Sequence, residues 1–356
     1  MLKKLAVIAA CIVILMTIAI SFFIHWVGEF TPSDSALRAL AATEVKDISY
    51  LRDRPIPTHG KILAIVTSTR ELGDTGKITG YELSELARAY WVFSANGFEV
   101  DIASPEGDEP HAIIDDEDMN EYDYAFLNDI TAQKKAKTTI KVSDVDPDNY
   151  SALYFVGGKG AMFDFPDNPA IKDLIHKFYT EGKVISAICH GPAALVNVKV
   201  QDEWLVSGRA ISAFTKSEEL LLMPDARSIF PFLLQEKLEE RGAQFFSTND
   251  YLNQVSVSGK LITAQNPWST WSIAEEVVKK IGYEPKPRKL TREERSVSLL
   301  QEFYSGGLNA AENLIKGSPE KYNGHLVLMH AVVAAMKYDV ENAVKLIVLA
   351  ESLRPK

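Results

Sequence analysis

Cysteine is nearly absent from this chain: its 356 residues hold two, Cys11 and Cys189. Cys11 lies inside an apolar N-terminal run, so Cys189 has no partner for an intramolecular disulfide, and a disulfide-stapled fold is excluded. Histidine is also scarce. The seven are His25, His59, His111, His176, His190, His325 and His330, and none falls between residues 191 and 324. His325 and His330 stand five apart, off the i,i+4 spacing of a helical metal pair, and no other cluster has ligand spacing. A basic surplus is missing as well. The chain has 38 Lys and Arg against 48 Asp and Glu, a formal net charge of −10. With no basic stripe carrying interleaved aromatics, a nucleic-acid partner is not expected. Neither a phosphate loop nor a dinucleotide-binding glycine fingerprint occurs. At 46% hydrophobic and 24% charged residues, the rest has the make-up of a globular protein.

One long apolar run does occur. Residues 5–24, LAVIAACIVILMTIAISFFI, carry no charge and follow Lys3 and Lys4. Such a run, helical, spans about 30 Å, the thickness of a bilayer's hydrocarbon core. It ends in Phe22, Phe23, Ile24, His25 and Trp26 rather than the small residues of a cleavage site. The expectation is an uncleaved transmembrane signal anchor over residues 1–27. The lysine flank then predicts a single-pass membrane protein with its bulk extracytoplasmic, in a periplasm or at the cell surface. Residues 28–60, with Pro32, Pro55 and Pro57, read as a stalk or linker.

From Lys61 strands and helices alternate. Strands are predicted at 61–69, 98–105, 151–160 and through KVISAI, and helices at 84–97, 168–182, 230–242 and 269–282. Hairpins are expected over 203–214, around Ser207-Gly208, and over 255–267. The acidic stretch 106–124 reads as a surface excursion. This alternation predicts an α/β domain over 61–284 with a parallel sheet covered by helices on both faces. After the charged linker YEPKPRKLTREER, the region 285–356 shows only helical periodicity, as a helical extension that caps the core or binds a partner.

Within this pattern the stretch KVISAICHGPAAL (183–195) places Cys189 where a strand gives way to Gly191, Pro192 and a predicted helix. Proline suits the first helical turn. A strand–turn–helix corner of this kind resembles the nucleophile elbow described for serine in G-x-S-x-G enzymes, which presents its side chain above the carboxyl edge of the sheet. A helix N-terminus would favour thiolate over thiol. Backbone N–H groups at the turn, together with Gly157 and Gly158 after another strand, could hold an oxyanion.

AICHGPAAL resembles the nucleophile motif of the ThiJ/PfpI superfamily, the class I glutamine amidotransferase-like fold. Further stretches resemble it in the same order: TGYELSELARAYWVFSANGFEVDIASP (79–105), YFVGGKGAMFDFP (154–166), AFTKSEE (213–219) and LITAQNPWS (261–269). The likeness covers roughly residues 61–282 and is nearest the glyoxalase III and heat-shock-chaperone-like branch. It implies a flavodoxin-like doubly wound parallel sheet with a nucleophile elbow. It also implies Cys189 as nucleophile, Glu85 as the carboxyl beside it, His190 as its partner and Glu219 as the residue orienting the histidine. Glu82 and Glu218 are rivals of Glu85 and Glu219. Lys159 stands where the family commonly has histidine, adding positive charge beside Gly157 and Gly158; Ala89 and Ala264 replace a usual proline and glycine.

The activity implied is a cofactor-independent, glutathione-independent glyoxalase III-like reaction on methylglyoxal or a related small aldehyde, giving lactate. Deglycase or peptidase-type hydrolysis, and a holdase chaperone or redox sensor, are the alternatives. Glutamine amidotransfer is not expected, because its late His-x-Glu dyad has no counterpart. A homodimer, and a protein partner at the C-terminal helices, stay open.

Overall fold

The computed structural model describes residues 25–26, 28–115, 119–317 and 321–354. They divide into two compact units, one spanning Leu40–Lys289 and the other joining the chain before Leu40 to the chain after Lys289.

A seven-stranded sheet forms the centre of the Leu40–Lys289 unit. In chain order its strands are β1 (Lys61–Ile65), β2 (Glu99–Ser104), β3 (Ile140–Lys141), β4 (Tyr150–Phe155), β5 (Val184–Ile188), β6 (Val255–Ser258) and β7 (Leu261–Ala264). In space they lie β6–β7–β5–β4–β1–β2–β3. All neighbours are parallel except β6 and β7, which form an antiparallel hairpin. The run β2–β1–β4–β5–β7 is the flavodoxin-like doubly wound order, and the switch between β1 and β4 opens a crevice at the strands' carboxyl ends.

The strands are nearly continuous apolar runs because both faces are covered. Alternation along β1 sends Ile62 and Ala64 into one core and Leu63 and Ile65 into the other. Among the described residues, the helices of seven or more residues that accompany the sheet are α1 (Leu83–Ala95), α2 (Glu121–Asn128), α3 (Ile130–Lys137), α4 (Pro169–Thr180), α5 (Lys216–Leu222), α6 (Leu234–Glu240) and α7 (Thr270–Ile281). α1, α2, α3 and α7 supply the first core, and α4 and α6 the second. α4 starts where the sequence marks it: Asn168 accepts from the Ile171 N–H, and Pro169 fills the first turn.

Three local expectations differ from what is observed. The acidic stretch 106–124 leads into α2, whose Asn120 and Asp123 form a reciprocal capping box. Asp123 is fully buried there and pairs with Arg88 of α1 at 2.8 Å. No hairpin turns at Ser207-Gly208: Lys199–Val200 pairs with Glu203–Trp204, and Ala210–Ile211 pairs in parallel with Gln244–Phe245. The chain turns instead at Gln201 and Asp202, both with positive φ. The segment after Cys189 is a five-residue 3₁₀ turn, Gly191–Leu195, rather than an α-helix.

Residues flanking the sheet also join this unit. Ile48, Tyr50 and Leu51 lie in the first core. Tyr283 stacks on His59 at 3.9 Å, the Lys286 N–H donates to Asn96 Oδ1 at 2.6 Å, and Arg288 Nε donates to Glu275 at 2.8 Å. In the other unit α8 (Arg292–Lys316) bends at Gly307, and α9 (Gly324–Met336) and α10 (Val340–Ser352) follow. There the Arg354 guanidinium covers the Trp26 and Phe30 rings.

The expected transmembrane helix, with the single-pass extracytoplasmic placement drawn from it, requires correction. Among the described residues no helix is long and apolar enough to cross a membrane. α8 has the length, with 25 residues, but opens on Arg-Glu-Glu-Arg; α9 is apolar but has 13 residues, about 20 Å. Residues 1–24 and 27, on which the expectation rested, lie outside the described residues.

Candidate active site

Every residue of β5 is buried, and the strand delivers the next residue, Cys189, to the carboxyl edge of the sheet. Cys189 has φ 58°, a left-handed conformation that costs a non-glycine residue on the order of 1–3 kcal/mol. Two hydrogen bonds hold it: its N–H donates to Ala264 O at the end of β7, and its carbonyl accepts from the Phe214 N–H, both at 2.9 Å. The turn then passes close beneath β4. A Cβ on Gly191 would stand 2.3 Å from Phe155 O, so only glycine fits. This is a strained elbow, but the 3₁₀ turn behind it is too short to lend the thiol much of a helix dipole. The side chains around the sulfur must set its chemistry.

Glu85, in the first turn of α1, is fully buried. Its Oε2 accepts from the Gly157 N–H at 2.7 Å, and its backbone carbonyl accepts from Tyr154 OH at 3.0 Å. Its Oε1 is buried without a hydrogen-bond partner. Gly157 forms the wall between carboxyl and thiol: a Cβ there would meet Glu85 Oε2 at 2.6 Å and Cys189 Cβ at 2.8 Å. Burial, and then the charge of Glu82, push the Glu85 carboxyl well above the usual carboxylate range. Burial, and then the Glu85 carboxylate, likewise push up the Cys189 thiol. Both groups are thus shifted toward their protonated forms by the same burial.

His190 is buried on the other side of the sulfur, its Nδ1 3.3 Å from Cys189 Sγ and its Nε2 2.6 Å from Glu219 Oε2. The Phe214 ring, with its centroid at 4.6 Å, packs on the imidazole. Glu219 comes from the first turn of α5. Its neighbour Glu218 turns away from the histidine and accepts hydrogen bonds from Thr215, Tyr251, Gln265 and Asn266. Glu82 is one step from the sulfur: its N–H donates to Gly157 O at 3.1 Å, while the Glu85 carboxyl occupies the other side of that residue.

Cys189, His190, Glu85, Glu219 and Gly157 thus converge. Gly158 (φ 102°) turns the chain against Gly80 and Tyr81, where a Cβ would meet Gly80 O at 2.4 Å. Lys159 follows, half-buried, and its ammonium forms no ion pair among the described residues. The Gly157 N–H is already engaged by Glu85. No group of three or more His, Cys, Asp or Glu able to hold a metal occurs among the described residues.

Two further carboxylates lie beside this cluster, the half-buried Asp164, which the sequence did not single out, and the buried Glu218, which it offered only as a rival of Glu219. Asp164 ties down the loop after β1, accepting from Thr67 Oγ1 at 2.8 Å and from the Ser68 and Thr69 N–H groups at 2.7 and 3.2 Å. Glu218 joins three segments. Its signal was legible, since Thr-Lys-Ser-Glu (215–218) is a capping-box pattern.

Over residues 77–280 the chain matches the DJ-1/PfpI family. It is 32% identical over 215 residues to the glutathione-independent glyoxalase hsp3102 of Schizosaccharomyces pombe, covering 57% of this chain and 89% of that one. Among solved structures it is similar to the Rapid Encystment Protein 24 kDa of Francisella tularensis, with 31% identity and TM-score 0.60 over 63% of this chain and 100% of that one. It is also similar to glyoxalase III of Candida albicans, with 26% identity and TM-score 0.58 over 62% of this chain and 97% of that one.

Proposed function

The chain belongs to the DJ-1/PfpI family, and on that premise we propose that it is a glyoxalase of the glutathione-independent type, converting methylglyoxal and water to lactate through Cys189. The observation that carries the reading is a lone thiol at a strained elbow, with an imidazole nitrogen 3.3 Å from the sulfur and a buried carboxyl against the same Gly157 wall. The names of relatives in two yeasts support the same reaction class.

In this reading His190 Nδ1 takes the thiol proton while Glu219 accepts a hydrogen bond from Nε2 and stabilises the imidazolium. The sulfur adds to the aldehyde carbon, the carbonyl electron pair moves to oxygen, and the imidazolium returns the proton there, giving a hemithioacetal. Glu85, as the carboxylate and now facing a neutral thioether, is the base for the hydrogen on that carbon. Its raised pKa makes it a stronger base than an exposed carboxylate. The electrons form an enediolate; as Glu85 returns the proton to the neighbouring carbon, the hydroxyl proton passes from the first oxygen to the second, leaving a thioester of lactate. Water cleaves the carbon–sulfur bond, and the thiol leaves with a proton. The sum is methylglyoxal plus water giving lactic acid. The N–H of His190, the residue after the nucleophile, is our candidate oxyanion donor, in place of the engaged Gly157 N–H.

The test is lactate formation from methylglyoxal in glutathione-free buffer. Turnover by the parent and its loss in a folded Cys189→Ser variant are expected. Turnover that persists in Cys189→Ser would remove the nucleophile from this scheme.

A further inference from the structure

The proposed chemistry leaves Glu218 unused, although it is among the most elaborately held side chains in the molecule. It is fully buried. Its Oε2 accepts from Thr215 N–H and Thr215 Oγ1, both at 2.9 Å. Its Oε1 accepts from the Tyr251 N–H at 2.7 Å, Gln265 Nε2 at 3.0 Å and Asn266 Nδ2 at 2.9 Å. A buried carboxylate is tolerated only when donors replace its lost hydration, and five do so here. They come from three segments, the turn into α5, the loop at Tyr251 and the loop leaving β7, which hydrogen bonds from Ser217 Oγ to Asp250 Oδ2 at 2.8 Å and from Asn266 Nδ2 to Leu252 O at 3.0 Å also link. Tyr251 is held in place from both ends. Its N–H donates to the Glu218 carboxylate with its backbone at φ 59°, and its hydroxyl donates to Glu218 O at 3.0 Å.

Glu219, by contrast, is fixed weakly by its own contacts. Its Oε2 reaches His190, while its Oε1 is buried without a partner. The place of its carboxylate is therefore set by the place of the α5 first turn, and Glu218 is what pins that turn to the β7 loop. The same loop starts at Ala264, whose carbonyl holds the Cys189 N–H.

We propose that Glu218 is a positioning residue that acts through Glu219, fixing the first turn of α5 so that the Glu219 carboxylate meets His190 and keeps the imidazole in place to ionise Cys189. Only its link to turnover rests on the glyoxalase reading. The positioning itself can be read from the thiol. Other charged and titratable groups near Glu218 are Glu219, Tyr251, Asp250 and Cys189 itself.

Charge alone and positioning predict opposite signs. Neutralising a carboxylate near a thiol favours the thiolate and speeds alkylation, whereas displacing the Glu219–His190 pair slows it. The experiment is a double-mutant cycle on the full chain, reading the rate of Cys189 alkylation by iodoacetamide at pH 7 in the parent, Glu218→Gln, Glu219→Gln and the double variant. The glutamine turns an amide donor toward existing donors, so Glu218→Gln is expected to slow alkylation roughly tenfold. In the Glu219→Gln background the same change should cause no further slowing. Unchanged or faster alkylation in Glu218→Gln, or equal slowing in both backgrounds, overturns the proposal. Should Glu218→Gln not fold, Gln265→Leu removes one donor of the five. A smaller slowing that again disappears without Glu219 is expected, and no change in rate counts against the proposal. Alkylation needs no methylglyoxal, so a parent chain that alkylates but makes no lactate refutes the glyoxalase reading and leaves this test intact.

Discussion

At the scale of single residues, burial outweighs hydrogen bonding in setting the acids of this site. Asp164 accepts three hydrogen bonds that favour its charged form, yet burial lifts it from 3.8 to about 6. A carboxyl whose folded pKa is raised contributes stability that is fully present below the unfolded pKa and is lost as pH rises through the folded one. For Asp164 that window runs from 3.8 to about 6, worth about 3 kcal/mol. The difference in unfolding free energy between the parent and Asp164→Asn should therefore shrink across that window in urea titrations; a pH-independent difference would refute the assignment. Burial raises Glu85 in the same direction. Glu85→Gln keeps a donor for the sulfur but has no proton to shuttle, so alkylation of Cys189 should survive while lactate formation falls by on the order of 10²–10⁴. Parent-like turnover would move the proton transfer to Glu82 or His190. The residues of this cluster were legible because the motifs around Cys189, Glu85 and Glu219 are local in sequence. The choice of Glu219 over Glu218 came from the resemblance and not from the residues' own pattern, since both lie in one helical turn and the fold decides which faces the histidine.

At the scale of elements, the apolar strands and the helices with caps or glycine stops were readable from periodicity, as α4 illustrates with Asn168-Pro169 at its start and Gly182 after its end. What stayed hidden depended on distant partners. α2 looked like an acidic loop because nothing local announces that Asp123 meets Arg88, and α3 (ITAQKKAK) is too polar to show an apolar face. The expected hairpin at Ser207-Gly208 failed because Ala210–Ile211 finds a partner more than thirty residues later, at Gln244–Phe245. The Arg88–Asp123 pair docks α2 on the helix that carries Glu85. Arg88→Met would take the guanidinium away from the buried Asp123 carboxylate, which should cost about 3–5 kcal/mol in denaturant unfolding. A loss below about 1 kcal/mol would show that the pair contributes little to this docking.

At the scale of the whole molecule, every site residue lies in the Leu40–Lys289 unit. The sequence placed the domain edges at 61 and 284, but Leu51, Tyr283, Lys286 and Arg288 pack on that unit, contacts that proline-rich and charged flanks do not advertise. A fragment of residues 40–289 should fold and keep lactate formation within a few-fold of the full chain, whereas ending at 282 should destabilise it by removing the Tyr283–His59 stack and the Arg288–Glu275 pair. A folded but inactive 40–289 fragment would mean that the remaining unit contributes to catalysis. The central claim is that an ionisable thiol at the elbow, and no added thiol, carries out the conversion. Its most direct measurement is lactate produced from methylglyoxal by the full chain without glutathione, beside the folded Cys189→Ser variant. Lactate from the parent and none above background from Cys189→Ser is the predicted result; no lactate from the folded parent, or equal lactate from both, would contradict it.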